Sequence, residues 1–364
     1  MNLIICKAFR SFFWYIYQNS TAFYWFQRQI LKNYFYNILL ATLRILPPEI
    51  ASKISLFFLK AYFKVLNRQD SNSFRYSGTQ NVKFKHLNFN NPLGVAAGLD
   101  KEGNYFPALA SLGFSFVEVG TFTPKKQKGN EYPRIKRNIQ EKSLINRLGF
   151  NNPGIISGVE NIKKNKRNFS GVLGVSIGKN KTTSLDRAFE DYLYCLKACY
   201  EVSDYIAVNI SSPNTIGLRD LTKETYFSDL MDEIKKEYEI LSSKSKVKVP
   251  LILKLSPDED DENTKYLVEK SLESNFSGFI VSNTTKGEYM GMQGGLSGKL
   301  LKEKSLTMLK KVNSYLGKEA LLISSGGISS KEDIEERMDN GAKLIQIYTS
   351  FVFEGPPVVD KLLN

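Results

Sequence analysis

The chain has 364 residues, 42% apolar and 24% charged, which is enough for one large packed domain and too apolar for wholesale disorder. Its three cysteines, Cys6, Cys195 and Cys199, build no disulfide framework or Cys-x-x-Cys zinc site, and the single histidine, His86, excludes multi-histidine metal centres and lies in no hydrolase motif. The net charge of +13 belongs mostly to residues 1–90, which hold 12 Lys/Arg against Glu49 and Asp70, while the rest of the chain balances 38 basic against 35 acidic residues. Most of the chain therefore lacks a uniform basic face, and no nucleic-acid partner is expected. Positive charge mixed with aromatic side chains points instead to an anionic lipid surface.

Residues 1–66 contain 17 of the 45 aromatic residues, in clusters such as Phe12–Tyr15 and Phe23–Phe26. The longest uncharged run, 11–27, includes Gln18, Asn19, Ser20 and Thr21, and is short for a spanning helix, which needs about 20 mostly apolar residues. An interfacial segment is expected, with a spanning anchor or a targeting peptide as alternatives; no small-residue cleavage site marks a secretory signal. Pro47-Pro48 then open a helix over 48–66, because Pro is tolerated in a first turn. Ile50, Ile54, Phe57, Phe58, Ala61, Tyr62 and Val65 recur on one face of it, with Lys53, Lys60 and Lys64 largely elsewhere. Such a helix packs on its own domain, docks on a membrane, or does both with two apolar surfaces. Residues 67–81, rich in Ser, Asn and Gln, read as a linker.

From residue 92 short apolar runs alternate with longer amphipathic stretches. The runs are Leu93–Ala97, Phe116–Gly120, Val172–Ile177, Tyr205–Ile210, Leu251–Leu255, Phe279–Ser282, Leu321–Ser324 and Leu344–Tyr348, with helical patterns between them such as Leu185–Tyr200 and Lys331–Met338. Eight strand–helix repeats predict an α/β fold, a (β/α)8 TIM barrel with parallel strands. The predicted organisation is a membrane-associating helical segment over 1–70, a linker leading to the barrel bottom over 71–90, and the barrel over 91–364. Cys195 and Cys199, four apart on one helix, read as packing residues.

In such a barrel, chemistry gathers where strands end. Here the strand ends carry Gly98-Leu99-Asp100-Lys101, Thr121, Gly178-Lys179-Asn180, Asn209–Asn214, Lys254, Ser282–Thr285, Gly326-Gly327-Ile328 and Tyr348-Thr349-Ser350. Each alone is an ordinary turn or cap, but eight together on one rim are not. The loops after strands seven and eight suit a phosphate, since Gly326-Gly327 lets backbone approach closely and Thr349 and Ser350 add hydroxyls. Gly294–Gly298 reads as a second, flexible anion cradle in the loop after strand six. Neither a Walker loop nor G-x-G-x-x-G is present.

Asn91–Gly94, Ala96–Lys101, Ile145–Asn152, Asn209–Asn214, Ser282–Thr285, Gly294–Gly298 and Gln346–Tyr348 together resemble the dihydroorotate dehydrogenases, in order from about residue 75 to the C-terminus. Ser212 and the N-terminal extension resemble the membrane-associated, quinone-using class; soluble classes carry a Cys in the corresponding loop. The resemblance implies flavin mononucleotide (FMN), its phosphate on Gly298, Gly327, Tyr348 and Thr349. It places the flavin ring near Ala97, Gly98, Lys101, Thr121, Ser176, Asn209, Lys254 and Ser282. Orotate would be held by Lys101, Asn146, Arg147, Leu148, Gly149, Phe150, Asn209, Asn214, Asn283 and Thr284. An Asn-rich pocket suits a ring of alternating carbonyl and N–H groups, and Lys101 suits a carboxylate. The implied catalytic set is Ser212, Lys101, Lys254 and Thr215: Ser212 takes the C5 proton, Thr215 passes it on, and Lys254 stabilises negative charge on flavin and substrate. Arg137 and Tyr348 resemble quinone-side contacts.

Two positions depart from the family pattern. Ser176 stands where an Asn is usual near the flavin, and Ser324-Ser325 precede the glycines where Gly and an aliphatic residue are frequent. The resemblance implies dihydroorotate and a membrane quinone as partners, with peripheral membrane association. The bacterial inner membrane, cytoplasmic side, is the expected location, and the mitochondrial inner membrane the alternative. Two other readings stay open: another FMN barrel oxidoreductase, and a catalytically inactive membrane-associated barrel.

Overall fold

The computed structural model describes residues 41–66, 81–215, 217–317 and 319–364. The segment 11–27 and most of the 67–81 linker lie outside them. Helix α1 (Pro48–Leu66) forms over the predicted range, followed by a hairpin of β1 (Val82–Phe84) and β2 (Leu87–Phe89). The eight apolar runs follow as β3 (Leu93–Val95), β4 (Phe116–Phe122), β7 (Val172–Ile177), β8 (Tyr205–Asn209), β9 (Leu251–Leu255), β10 (Phe276–Val281), β13 (Leu321–Ser325) and β14 (Leu344–Ile347). All pair in parallel and close into a barrel in chain order, β14 meeting β3. Between and after them come helices α2 (Phe106–Ala110), α3 (Ile155–Asn165), α4 (Ala188–Cys199), α5 (Glu224–Lys244), α6 (Asp261–Glu273), α7 (Lys302–Ser314), α8 (Lys331–Asp339), α9 (Thr349–Glu354) and α10 (Pro357–Leu363).

Both faces of a barrel strand are covered, the inner by the opposite wall and the outer by helices, so the strands read as continuous apolar runs. The outer layer forms one large core that includes Cys195 and Cys199. Burial raises both thiols, Cys199 to about 12, as inert packing residues require. The inner layer at the N-terminal end is a separate cluster in which Phe84, Leu87 and Phe89 from the hairpin meet Phe116, Val172, Tyr205, Ile252, Ile280 and Leu321. The hairpin is thus a plug, each large side chain contributing about 1.5–3 kcal/mol by burial.

A second sheet interrupts the alternation. Its strands are β5 (Ile135–Asn138), β6 (Ser143–Asn146), β11 (Thr285–Tyr289) and β12 (Met292–Gly298), antiparallel in the order β11-β12-β6-β5. Its strands come from the chain after β4 and after β10, so two strand-end loops are tied together over the rim. The Gly294–Gly298 segment, expected as a flexible loop, is therefore a paired strand. Its glycines serve close approach: a Cβ at Gly294 would lie 2.2 Å from the Asn146 carbonyl oxygen, and one at Gly295 2.1 Å from Thr284 Oγ1.

Helix α1 packs through a stripe next to the one its periodicity favours. Leu56 is buried and Leu59 leans on the core, while Lys60 Nζ lies 5.4 Å from the centre of the Tyr105 ring. Ile50, Phe57, Phe58 and Tyr62 stay exposed, Phe57 and Phe58 at 63% each. The helix has two apolar surfaces, and among the described residues only one is packed against the core. Among the described residues no helix is long and apolar enough to cross a membrane.

Candidate active site

A cleft of about 1440 Å³, including its open mouth, occupies the C-terminal rim of the barrel. Its first wall is the loop after β3. There Asp100, fully buried, accepts backbone N–H bonds from Asn104, Tyr105 and Phe106 at 2.7–3.0 Å. Burial pushes its carboxyl up while those donors pull it down. Asp100 therefore shapes the loop and caps the approach to α2, and Lys101 beside it reaches the cleft, where Nζ donates to Asn151 Oδ1 at 3.0 Å.

The central floor is polar and connected. Thr121 Oγ1 sits 2.9 Å from Ser176 Oγ and accepts from Asn209 Nδ2 at 3.1 Å. Asn283 Nδ2 donates to Asn209 Oδ1 and to Ser211 Oγ at 3.2 and 3.0 Å. Asn214 Nδ2 donates to Asn146 Oδ1 at 2.9 Å, and Asn146 Nδ2 to the Gly295 carbonyl at 3.1 Å. Four asparagines from three chain segments thus form two hydrogen-bonded pairs in fixed orientations, each keeping further donor or acceptor capacity. Ser212 is 8% exposed, and its Oγ accepts the Asn214 backbone N–H at 3.3 Å.

Beneath this floor lies a buried ionic network. Lys254 Nζ on β9 is 3.4 Å from Glu118 Oε1 on β4, with side-chain exposures of 6% and 0%. Tyr205 OH and Gln346 Nε2 both donate to Glu118 Oε2, at 3.0 and 2.8 Å. The barrel interior thus changes from aromatic at the plug to charged at mid-height and open at the rim.

At the far end Gly298, Gly326, Gly327, Tyr348, Thr349 and Ser350 converge, with Lys142 and Lys299 alongside. Gly327 has φ +73 and its Cβ would lie 2.3 Å from Lys302 Cα, so no other residue fits there without movement. Asp333 fixes this loop by accepting the Ser329 and Ser330 backbone N–H groups and pairing with Lys302 Nζ at 2.6 Å. Burial raises its carboxyl, but those partners win and hold it below its ordinary value.

Most of the residues singled out from the sequence meet in this wall: Ala97, Gly98, Lys101, Thr121, Asn146, Leu148, Gly149, Phe150, Asn209, Ser212, Asn214, Lys254, Ser282, Asn283, Thr284, Gly298, Gly327, Tyr348 and Thr349. Four stand outside it. Ser176 lies one hydrogen bond behind Thr121. Arg147 turns away, its Nε donating to the Pro133 carbonyl at 3.1 Å. Thr215 is buried behind the wall, its Oγ1 without a hydrogen-bond partner among the described residues. Arg137 sits on β5 opposite the wall residue Leu144, on the same strand face as the wall residue Ile135. Sequence reasoning gave no role to Asn151, Lys142, Lys299, Glu118 or Gln346. Asn151 and Gln346 lay inside motifs already quoted; Glu118 was masked by the apolar strand that carries it.

The wall fits a phosphate-bearing planar cofactor with a second, smaller ligand. Gln346 Oε1 and Ser350 Oγ are buried in it without a partner among the described residues, and such atoms call for a ligand. A Cβ at Gly98 would meet only the Tyr348 ring, at 3.6 Å, so that side of the loop faces open space. The donor set divides the same way, with glycines, hydroxyls and two lysines at one end and asparagines with Lys101 at the other.

Comparison with known proteins identifies the family. A family model described as dihydroorotate dehydrogenase matches residues 79–364. The chain is similar to a dihydroorotate dehydrogenase (quinone) from Legionella pneumophila, 43% identical over 80% of this chain and 89% of that one. It is also similar to one of the same description from Pectobacterium atrosepticum, 39% identical over 91% and 99%. Among solved structures, one of a dihydroorotate dehydrogenase from Eimeria tenella in complex with ferulenol superposes with a TM-score of 0.78. That chain is 31% identical, covering 86% of this chain and 89% of that one.

Proposed function

The chain belongs to the dihydroorotate dehydrogenase family, and on that premise we propose that it oxidises (S)-dihydroorotate to orotate in pyrimidine biosynthesis, with FMN as cofactor and a membrane quinone as electron acceptor. The observation that carries the reading is the meeting of the Ser212 hydroxyl, the Lys101 and Lys254 ammonium groups, and Asn146, Asn209, Asn214 and Asn283 in a single cleft beside a glycine–hydroxyl cradle.

Bound flavin supplies a two-electron acceptor for the substrate C6–H bond. The chain supplies the rest. Ser212 Oγ receives the C5 proton, and the Asn214 N–H that it accepts favours negative charge on that oxygen. The buried hydroxyl of Thr215, without a hydrogen-bond partner among the described residues, passes the proton on. Lys101, held by Asn151, balances the substrate carboxylate, while Asn146, Asn209, Asn214 and Asn283 read the ring's carbonyl and N–H edge. Lys254 places positive charge where electrons accumulate, in a site dry enough for that charge to act strongly. Lys142, Lys299, Gly298, Gly327 and Thr349 hold the phosphate.

The exposed face of α1, with Phe57, Phe58 and Tyr62, rests on the bilayer and leads quinone towards the Arg137 and Tyr348 side. The location proposed is the bacterial inner membrane, peripheral on its cytoplasmic side, with the mitochondrial inner membrane as the alternative. Phe57→Ser with Tyr62→Ser should weaken binding to anionic vesicles at least several-fold while changing stability by only about 0.5 kcal/mol; unchanged vesicle binding removes α1 from this role.

The deciding experiment is anaerobic. Purified protein should be yellow, and its flavin absorbance should bleach on addition of dihydroorotate and return with a quinone. Absence of flavin, or flavin that dihydroorotate does not reduce, ends the reading.

A further inference from the structure

One arginine outside the cleft wall ties two of the loops that build it to the loop after β9. Arg219 lies in a short 3-10 turn, Leu218–Thr222, on the loop that carries Ser212. Its Nε donates to the Ser211 carbonyl at 3.1 Å. One terminal nitrogen donates to the Thr284 carbonyl at 2.9 Å, and the other pairs with Asp258 Oδ2 at 2.5 Å. The two carbonyls flank site residues: Ser211 precedes Ser212, and Thr284 is itself in the wall.

Asp258 is a fixed anchor for this fork. It follows β9, and its backbone N–H donates to Ser256 Oγ at 3.1 Å. Its carboxylate also accepts the Lys286 backbone N–H at 2.9 Å and takes side-chain bonds from Thr285 and Lys304. Burial raises the carboxyl, but the bonds from Lys304, Thr285 and Arg219 reverse this and hold it well below the usual carboxylate range. The side chains of Arg219 and Asp258 are 14% and 17% exposed, so solvent does little to loosen the pair.

We infer that Arg219, backed by Asp258, is a positioning residue that sets the backbone of the Ser212 loop against the substrate side of the cleft. The inference rests on the reading of Ser212 as the base. A guanidinium is suited to the task because its rigid fork reaches three acceptors at once, whereas a lysine offers one compact charge on a flexible stem. The residue touches no reacting atom and acts through the Ser211 and Thr284 carbonyls. A shift of about 1 Å in a positioned group costs on the order of 10²-fold in rate, so a small slackening of this loop is enough to register.

The test separates the two half-reactions in stopped flow, on the full-length flavin-loaded protein. In Arg219→Ala, flavin reduction at saturating dihydroorotate should slow by roughly 10- to 100-fold. Reoxidation by a short-chain quinone, flavin content and melting temperature should stay near wild type. Arg219→Lys should recover only part of the loss, and millimolar guanidinium should speed reduction in Arg219→Ala. If that variant does not accumulate, Asp258→Asn takes its place, with the same slowing of reduction expected. Reduction within about twofold of wild type overturns the inference, as does full recovery in Arg219→Lys or an equal fall in both half-reactions. Failure of the underlying reading looks different, because then the wild-type flavin itself is not bleached by dihydroorotate.

Discussion

The two ends of the barrel are built from the same strands and obey opposite rules. Along β4, Phe116 belongs to the aromatic plug, Glu118 to the buried ionic network, and Thr121 to the open cleft, all within six residues. At the bottom the side chains are apolar or aromatic and meet by packing, as in the edge-to-face pair of Phe89 and Phe116 with ring centres 5.5 Å apart. At the rim, buried polar atoms such as Gln346 Oε1 lack partners among the described residues. Close packing at one end leaves the other free to keep the unsatisfied groups that binding needs.

Mutations at the two ends should therefore separate stability from chemistry. The largest expected effect is Phe89→Ala, which should cost about 3–5 kcal/mol in chemical denaturation while turnover per bound flavin stays unchanged. Next, Glu118→Leu alone leaves Lys254 buried without its countercharge and should cost about 3–5 kcal/mol, whereas the double change with Lys254→Met should return most of that stability. Flavin reduction should stay impaired in the double variant; recovery of both properties would mean that mid-barrel charge serves the fold alone. Third, Ser212→Ala should keep flavin and melting temperature but slow flavin reduction by roughly 10²-fold or more, and unchanged kinetics would remove Ser212 from its role.

The smallest effect concerns the cradle. Asp333 has a folded carboxyl pKa below its ordinary 3.8, so it stabilises the fold above that value and loses the contribution as pH falls through and below it. Asp333→Asn should thus be less stable than wild type at pH 7. The gap should narrow steadily below about pH 4, as measured by urea midpoints across that range. A gap independent of pH would assign the effect to something other than the Asp333 charge.

Much of this architecture was legible before the fold. The eight barrel strands announced themselves because burial on both faces demands unbroken apolar runs, and α1 because its apolar residues keep a helical period. The Ser212 loop and Lys101 were legible as polar strand ends and took their roles from the family resemblance, while the glycine cradle was legible from its residue types. The second sheet was not. β12 reads Met-Gln-Gly-Gly-Leu-Ser-Gly, with almost no strand propensity, and pairs because its glycines let β6 come close. Nor did periodicity foresee that α1 would pack through Leu56 and Leu59 and leave its main apolar face exposed.

The amino-acid sequence by itself determined the barrel, the rim on which chemistry gathers and the types of group available there, since these follow from local hydrophobic pattern and side-chain chemistry. Only the tertiary structure decided which of those groups meet. Glu118 finds Lys254 across 136 positions of chain, and Arg219 finds Thr284 across 65. Such pairings depend on strand register and loop closure, which no local pattern encodes, and they turn a set of suitable residues into a site.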